Sequence, residues 1–362
     1  MKAETLIAHQ RLARYFQHYA AILRGRRALV VGHVVSFFAK GVAFIAAQNV
    51  AKDPRVQPSA RATAVIRVDE IDASRHLLIA GPTASGKSAL ALAVAQAQGG
   101  LIVNADALQI WSCWRVLTAR PSAQDEALAP HALYGHVTPD RSYSVGDWLK
   151  EVQALMGQRL IIVGGTGLYL TALTQGLAYV PPVPAEIRAE GNALLRQPDG
   201  LTQMVNALDR LTKDRIDLLN PARVQRAWEV LRATGRGLAE WQADTPPPLI
   251  GPADSQRVLI TTDRDWLATR IARRFEMMMA QGALDEIRAV LPDWDPAQQW
   301  ARAIGAPELT AHLRGETNLE TATELAIIAT RQYAKSQRIW FRGRMKNWQQ
   351  SPVISGNNSQ SD

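Results

Sequence analysis

At residues 81–88 the chain reads Gly81-Pro82-Thr83-Ala84-Ser85-Gly86-Lys87-Ser88, which matches the phosphate-loop (P-loop) pattern G-x-x-x-x-G-K-[S/T]. The apolar residues 76–80 before it predict a buried strand, and the alanine-rich residues 89–97 after it predict a helix. In this context, free backbone N–H groups and a helix N-terminus bind an anion. Lys87 supplies positive charge, and the Ser88 hydroxyl is a ligand type for Mg²⁺. The stretch predicts a phosphate or diphosphate site, but the pattern alone does not distinguish ATP from another ligand.

Three further apolar runs, at residues 101–103, 160–163 and 257–261, predict buried strands. Helical patterns lie between them, so the chain alternates strand and helix. This order predicts an α/β fold, a P-loop parallel sheet flanked by helices. Asp106 follows the second strand and Thr166 follows the third. Because ligands bind at the carboxyl ends of parallel strands, both side chains are expected beside the phosphate loop.

Asp106, Thr166 and three arginines are the candidates for chemistry. Asp106 could act as a general base or as a carboxylate that orders Mg²⁺, and the alternative is a helix N-cap. The Thr166 hydroxyl could donate to a diphosphate, and it too could cap a helix. A later predicted helix carries Arg270, Arg273 and Arg274, which span more than one helical face. At least one of these arginines is therefore expected in solvent, and another could bind phosphate oxygens bidentately.

Two proline runs, at residues 181–184 and 246–248, bracket a segment with a helical pattern. Such a segment inside a sheet protein predicts an inserted helical domain. The predicted organisation is a basic N-terminal extension of uncertain order at 1–75, the first part of the P-loop core at 76–180, the helical insertion domain at 181–250, the second part of the core with C-terminal helices at 251–347, and a polar tail at 348–362.

The net charge of +8 is concentrated at the N-terminus. Residues 1–75 contain twelve Lys/Arg and five Asp/Glu, whereas the rest of the chain has a net charge of only +1. Nucleic-acid binding by the body would therefore need local basic patches. The extension is interpreted as dispensable, so removal of residues 1–72 is expected to leave activity intact. The alternatives are an organellar transit peptide at 1–52 and a membrane anchor at 29–47, where Lys40 disfavours insertion.

The single cysteine, Cys113, excludes an internal disulfide framework and fits a reducing compartment. It lies beside two tryptophans, so burial is expected rather than catalysis. His131 and His136 belong to no Cys/His cluster at metal spacing, so no zinc site is predicted. Residues 332–344 interleave basic and aromatic side chains. That pattern fits contact with RNA, or an amphipathic helix docked on the core.

Six motifs follow one another between residues 76 and 345. They are the phosphate loop and the sequences Asp106-Ala107-Leu108-Gln109-Ile110, Thr118-Ala119-Arg120-Pro121, Tyr143-Ser144-Val145-Gly146-Asp147, Val163-Gly164-Gly165-Thr166-Gly167-Leu168-Tyr169 and Thr330-Arg331-Gln332-Tyr333-Ala334-Lys335. Together they resemble the tRNA dimethylallyltransferase (tRNA isopentenyltransferase) family. The resemblance implies transfer of a dimethylallyl group from dimethylallyl diphosphate to N6 of the adenosine 3′-adjacent to the tRNA anticodon, with release of diphosphate.

The resemblance also implies roles for individual residues. Asp106 would be the general base, and Thr166 and Arg274 would hold the diphosphate and stabilise its leaving charge. The implied diphosphate-binding residues are Gly81, Pro82, Thr83, Ala84, Ser85, Gly86, Lys87 and Ser88, with Mg²⁺ near Ser88. The implied tRNA contacts are Asp106, Ala107, Leu108, Gln109, Thr166, Arg188, Ala222, Arg223, Val224, Gln225, Arg226, Arg302 and Gly305. The insertion would grip the anticodon stem-loop. A cytoplasmic monomer without stable membrane contact is implied, or a protein of an organellar matrix if a transit peptide is present.

The chain departs from the family pattern at Ile110-Trp111, at Ala306-Pro307-Glu308 and at Ser336. The last two places lack expected RNA-facing groups. Three other functions remain open: a small-molecule P-loop kinase, an adenylate isopentenyltransferase that prenylates free adenine nucleotides, and a non-catalytic RNA-binding protein with a vestigial phosphate loop. A kinase does not explain the arginine-bearing insertion. The intact Lys87 and Asp106 argue against a vestigial loop.

Overall fold

The computed structural model describes residues 66–353. The candidate transit peptide and membrane anchor, and the tail from residue 354, lie outside the described residues. The described part divides into two compact units, residues 180–240 and residues 66–179 with 241–353. Each unit has a hydrophobic cluster of its own.

The larger unit is built on a six-stranded sheet in which neighbouring strands are parallel. The strands are β1 (His76–Ala80), β2 (Leu101–Asn104), β3 (His131–Ala132), β4 (Leu160–Gly164), β5 (Ser255–Thr261) and β6 (Gln349–Pro352). Their order across the sheet is β3-β2-β4-β1-β5-β6, so β1 is central, between β4 and β5. The predicted α/β fold with a parallel sheet is confirmed.

Helices connect the strands and form the smaller unit. They are α1 (Lys87–Gln98), α2 (Ala123–Leu128), α3 (Val145–Ala154), α4 (Gly167–Gln175), α5 (Ala185–Leu195), α6 (Gly200–Ala207), α7 (Arg210–Arg215), α8 (Pro221–Thr234), α9 (Leu238–Ala243), α10 (Arg264–Ala280), α11 (Ala283–Val290), α12 (Ala306–Leu313) and α13 (Leu319–Arg344). Helices α5 to α8 belong to the smaller unit.

The sheet is buried on both faces, as its apolar strands require. In β1, Leu77 and Ile79 point to one face and Leu78 and Ala80 point to the other. Helix α1 covers the first face with its buried residues, among them Val94. Helices α3 and α4 contribute side chains to the cluster on the second face. This packing fixes the carboxyl ends of the strands, where the polar residues emerge.

The smaller unit is a helical bundle with its own core. Its buried side chains include Met204, Leu208, Val224 and Trp228. Residues 241–250, which the sequence pattern assigns to the insertion, lie instead in the sheet unit. The reason is visible at Ile250, which is fully buried in the sheet core and donates its N–H to the carbonyl of Leu173 at 3.2 Å.

Both ends of the described chain pack on the sheet. Ile66 and Ile71 are buried in the cluster that also contains Ile79. The N–H of Ile66 donates to the hydroxyl of Ser351 at 3.0 Å, and Ser351 lies in β6, which pairs with β5. The core therefore begins earlier and ends later than the sequence pattern predicts.

Removal of residues 1–72 is expected to lower the free energy of unfolding by about 3 kcal/mol or more, because two buried isoleucines are lost. This replaces the expectation that residues 1–72 are dispensable. Urea unfolding of the truncated and full-length proteins measures the difference. Removal of residues 1–65 is the matched control, since it keeps Ile66 and Ile71. Equal stability of the two truncations would contradict the prediction.

Candidate active site

The phosphate loop joins β1 to α1 in a turn that requires positive φ angles. Gly86, at the N-cap of α1, has a φ of 90°, and Ala84 has a φ of 61°. The first turn of α1 presents N–H groups that have no partner within the helix. The half-buried Lys87 lies at this turn, and its Nζ donates to the carbonyl of Pro82 at 3.3 Å. The loop thus gathers N–H groups and an ammonium at one place.

Burial lowers the pKa of Lys87 to about 8. The carboxylate of Asp106 opposes this shift, and the guanidinium of Arg274 adds to it. Asp106 and Arg274 therefore lie close enough to Lys87 to act on its charge. The three groups also line one cavity.

Asp106 is fixed in place by its neighbour Asn104. The fully buried Asn104 accepts from the N–H of Asp106 at 2.9 Å and donates to the carbonyls of Asp106 and Leu133 at 3.0 and 2.9 Å. Asp106 Oδ1 accepts from the N–H of Leu108 at 3.0 Å. The carboxylate thus closes a local turn and caps no helix, because the next helix, α2, begins only at Ala123.

Thr166 occupies the N-cap position of α4, but its side chain does not cap that helix. Its Oγ1 instead accepts from the N–H of Ala107 at 2.9 Å, which ties the end of β4 to the end of β2. The Thr166 side chain also lies near the hydroxyl of Tyr333. Burial raises the pKa of Tyr333, and nearby Asp106 raises it further. Thr166 and Asp106 are thus adjacent, as the strand order predicts.

Gln337 was not identified from the sequence, and it joins two loops at this edge of the sheet. It is buried in α13, and its Nε2 donates to the carbonyl of Gly165 at 2.9 Å. Its Oε1 accepts from the N–H of Thr83 at 2.8 Å. The signal that could have found it is its spacing of one helical turn after Tyr333, within the basic and aromatic run.

The three arginines of α10 differ in their contacts. Arg270 Nε donates to the carbonyl of Ala84 at 3.2 Å, and Arg274 donates to the hydroxyl of Thr83 at 3.3 Å. Burial lowers the pKa of Arg274. Arg273 is exposed. Two arginines thus donate to the phosphate loop, whereas the exposed Arg273 lines an open cavity next to it together with Lys87 and Ser88.

One cavity brings these groups together with an apolar set. Its polar lining includes Thr83, Lys87, Ser88, Asp106, Arg274, Thr330 and Tyr333. Its apolar lining is Leu108, Leu117, Ile271, Phe275, Met278 and Ile304, with the alanines Ala84 and Ala119. Among the described residues that form this lining, Asp106 is the one acidic side chain. The arrangement can hold an anion against an apolar group, with a carboxylate beside both.

Several predicted tRNA contacts lie elsewhere. Arg188 and Ala222 to Arg226 belong to the smaller unit, and Val224 is buried in the core of that unit. Burial lowers the pKa of Arg226, the carboxylate of Glu229 opposes this shift, and the nearby Arg188 adds to it. Arg302 is exposed, and Gly305 is packed against Phe275 and Leu117 with a φ of 94°.

The structure also shows the surroundings of the C-terminal helix and of Cys113. Helix α13 buries Ala334 and Phe341 and leaves Lys335 exposed, so it docks on the core as an amphipathic helix. Burial raises the pKa of the Cys113 thiol, which disfavours the nucleophilic thiolate. Within residues 66–353, no three His, Cys, Asp or Glu side chains gather as a metal site. No helix in that range has the length and apolar character needed to cross a membrane.

The fold and the cavity define a class of α/β protein with a phosphate loop and a separate helical unit. A sequence model of the IPP transferase family matches residues 109–344. The tRNA dimethylallyltransferase of Paracoccus denitrificans is 66% identical over 286 residues, which are 77% of this chain and 95% of that protein. That of Dinoroseobacter shibae is 62% identical, over 79% of this chain and 97% of that protein.

Solved structures agree with these sequence relatives. The tRNA isopentenylpyrophosphate transferase of Bacillus halodurans is similar with a TM-score of 0.54 and 27% identity, over 78% of this chain and 92% of that chain. A eukaryotic dimethylallyltransferase acting on tRNA has a TM-score of 0.63 and 25% identity, over 74% of this chain and 69% of that chain. The chain belongs to the IPP transferase family, and the resemblance drawn from its six motifs is confirmed.

Proposed function

We propose that this protein transfers the dimethylallyl group of dimethylallyl diphosphate to N6 of the adenosine immediately 3′ of a tRNA anticodon. The observation that carries the proposal is the cavity in which Asp106, Lys87 and Arg274 meet an apolar lining. A diphosphate ester with a short apolar chain matches both halves of that lining. The relatives from Paracoccus and Dinoroseobacter, named tRNA dimethylallyltransferases, support the choice of acceptor and donor.

The reaction forms a bond between adenine N6 and C1 of the donor, and it breaks the bond between C1 and the diphosphate oxygen. The electron pair of the broken bond leaves with the diphosphate, and Asp106 takes the proton from N6. Lys87, Arg274 and the N–H groups of the first turn of α1 stabilise the departing negative charge. Thr166 accepts a hydrogen bond from the N–H of Ala107 and so fixes the segment that follows Asp106. It therefore lies beside the proposed general base. The adenine must leave its stack to reach this cavity.

The oxygen ligands available at the phosphate loop suit Mg²⁺. The ion usually binds through one or two protein oxygens, substrate phosphates and water. The exposed Ser88 hydroxyl at the start of α1 supplies one such oxygen. When bound, Mg²⁺ neutralises part of the diphosphate charge. Lys87 and Arg274 hold the diphosphate alongside it.

The proposed acceptor is the anticodon stem-loop of a tRNA, contacted by the helical unit. Arg188 and Arg226 lie near each other in this unit, with the buried carboxylate of Glu229 beside Arg226, and a guanidinium is the side chain best suited to bind phosphate oxygens. The exposed Arg223 is a further candidate. The proposal also describes a cytoplasmic monomer. The single cysteine fits a reducing compartment.

The test is incubation of the protein with labelled dimethylallyl diphosphate and either tRNA or AMP. Label on tRNA, at the adenosine 3′ of the anticodon, supports the proposal. Label on AMP alone would favour an adenylate isopentenyltransferase. Phosphorylation from ATP without prenyl transfer would favour a kinase. Binding of tRNA without transfer of label would favour a non-catalytic RNA-binding protein.

The affinity for dimethylallyl diphosphate is expected to fall above pH 8. The pKa of Lys87 is lowered to about 8 before the donor binds, and a bound diphosphate favours the ammonium form. Below pH 8 the ammonium is already present. Above it, binding must take up a proton, so the Kd rises by up to tenfold per pH unit. Calorimetric titrations between pH 7.5 and 9.5 measure this profile.

The matched control for the pH profile is Lys87→Arg. A guanidinium stays charged throughout this range, so the variant should show a flatter dependence even if its affinity is lower. A flat profile for the unaltered protein would exclude Lys87 as the titrating group.

A further inference from the structure

Residues 115–120, here called the strap, form one wall of the proposed donor cavity. Leu117, Thr118 and Ala119 line the cavity together with Lys87 and Ser88 of the phosphate loop. The strap contains no regular helix or strand. Its position must therefore be fixed by contacts from outside the segment.

Glu286 supplies the contacts on one side. Its Oε1 accepts from the N–H groups of Arg115 and Val116 at 2.7 and 2.8 Å, and its Oε2 accepts from the N–H of Leu117 at 2.9 Å. Three successive backbone donors converge on one carboxylate. Hydrogen bonds to a charged acceptor are stronger than those between neutral groups, so this is a firm attachment.

Gln109 supplies the contacts on the other side. Its Nε2 donates to the carbonyls of Thr118 and Ala119 at 2.8 and 2.9 Å. Ala119 has a φ of 50°, in the left-handed region that alanine rarely adopts. Such a backbone persists only where the surroundings hold it. The strap is therefore held by its N–H groups at one end and by its carbonyl groups at the other.

Glu286 also links the strap to the arginine-bearing helix. It lies in the first turn of α11, which begins directly after Gly282 and the end of α10. Helix α10 contacts the phosphate loop through Arg270 and Arg274. The strap and the phosphate loop are thus attached to two consecutive helices, α11 and α10, which are joined by the short turn at Gln281 and Gly282.

We propose that Glu286 is a positioning residue for the prenyl donor, because its carboxylate holds the strap at the distance from the phosphate loop that dimethylallyl diphosphate requires. This inference rests on the proposed function. Glu286 itself is absent from the cavity lining and acts through the backbone of the strap. Its loss should therefore weaken donor binding more than it slows the chemical step.

The test compares Glu286→Gln with the unaltered protein. Glutamine keeps the shape of the side chain but replaces one carboxylate oxygen by an NH₂ group. That group is a donor and would face a backbone N–H, so at least one hydrogen bond is lost. The Kd for dimethylallyl diphosphate, measured by calorimetry without tRNA, should rise at least tenfold. With saturating donor, kcat and the KM for tRNA should change less than threefold. The exposed Glu324 of α13 provides the control, Glu324→Gln, which should bind the donor normally.

The outcomes separate this inference from the function on which it rests. If the unaltered protein binds no dimethylallyl diphosphate, the proposed function fails. If it binds the donor and Glu286→Gln binds equally well, or loses kcat alone, the positioning role fails. If Glu286→Gln does not fold, hydrogen exchange of the unaltered protein decides. Donor binding should slow exchange of the amides of residues 115–117, and unchanged exchange would overturn the proposal.

Discussion

Replacing Asp106 with asparagine is expected to lower kcat for dimethylallyl transfer about a thousandfold, within the range that general bases contribute. The asparagine would still accept the hydrogen bond from the N–H of Leu108 through its side-chain oxygen, so the local turn persists. It would not accept the proton of N6. Binding of tRNA should stay within about twofold, because affinity depends chiefly on phosphate contacts elsewhere. Single-turnover rates with saturating donor and tRNA, and a separate tRNA-binding titration, measure the two effects.

The control for this substitution is Asp140→Asn, at an exposed aspartate outside the cavity lining. It removes the same charge from the protein and should keep normal turnover. Normal turnover by Asp106→Asn would remove Asp106 from the role of base. Loss of tRNA binding in parallel with kcat would instead assign it to the acceptor contact.

Replacing Arg274 with alanine is expected to lower kcat by about a hundredfold or more, the usual loss when one donor to a developing anion is removed. The half-buried Arg274 contacts Thr83 of the phosphate loop and lies close to Lys87. In such surroundings its charge acts on the leaving diphosphate with little screening by water. Arg274→Lys should recover only part of the rate, because an ammonium cannot bind two phosphate oxygens in the same way. Quenched-flow measurement of diphosphate release follows the step directly.

The neighbouring Arg273 provides a control that changes the same residue type on the same helix. It is exposed and, within the described residues, donates no hydrogen bond to the phosphate loop, so Arg273→Ala should alter kcat less than about threefold. An equal loss in both variants would mean that the net charge of α10 matters more than any one contact. A loss in Arg273→Ala alone would contradict the assignment of Arg274.

The sequence predicts those site residues whose positions are set by the end of a strand. Asp106 and Thr166 directly follow β2 and β4, which are neighbours in the sheet, so their proximity is a consequence of topology. The arginine pair of α10 follows in part from helical spacing. Arg270 and Arg274 lie four residues apart and share a helical face, but Arg270 and Arg273 lie three residues apart and are neighbours too, so spacing alone does not single out the exposed Arg273.

Other parts depend on contacts that no local pattern encodes. Gln337 is 254 residues from Thr83 and 172 residues from Gly165, and its amide is an ordinary polar group on a helix until the fold brings both loops to it. Asn104 is similar, because only its complete burial distinguishes it from a common turn residue. Strand β6 carries no apolar run, since Gln349 and Gln350 are exposed at the sheet edge. Hydrophobic periodicity cannot detect such a strand.

The central position of β1 has a consequence for the growing polypeptide on the ribosome. One of its partners, β4, is made before the helical unit, but the other, β5, is completed only at Thr261. Until then one edge of β1 stays open, and open strand edges invite wrong pairing. The phosphate loop is completed later still, because the N–H of Thr83 obtains its hydrogen-bond partner only after Gln337 has been synthesised. A nascent chain that stops short of α13 would carry all eight residues of the loop without the helix that braces it.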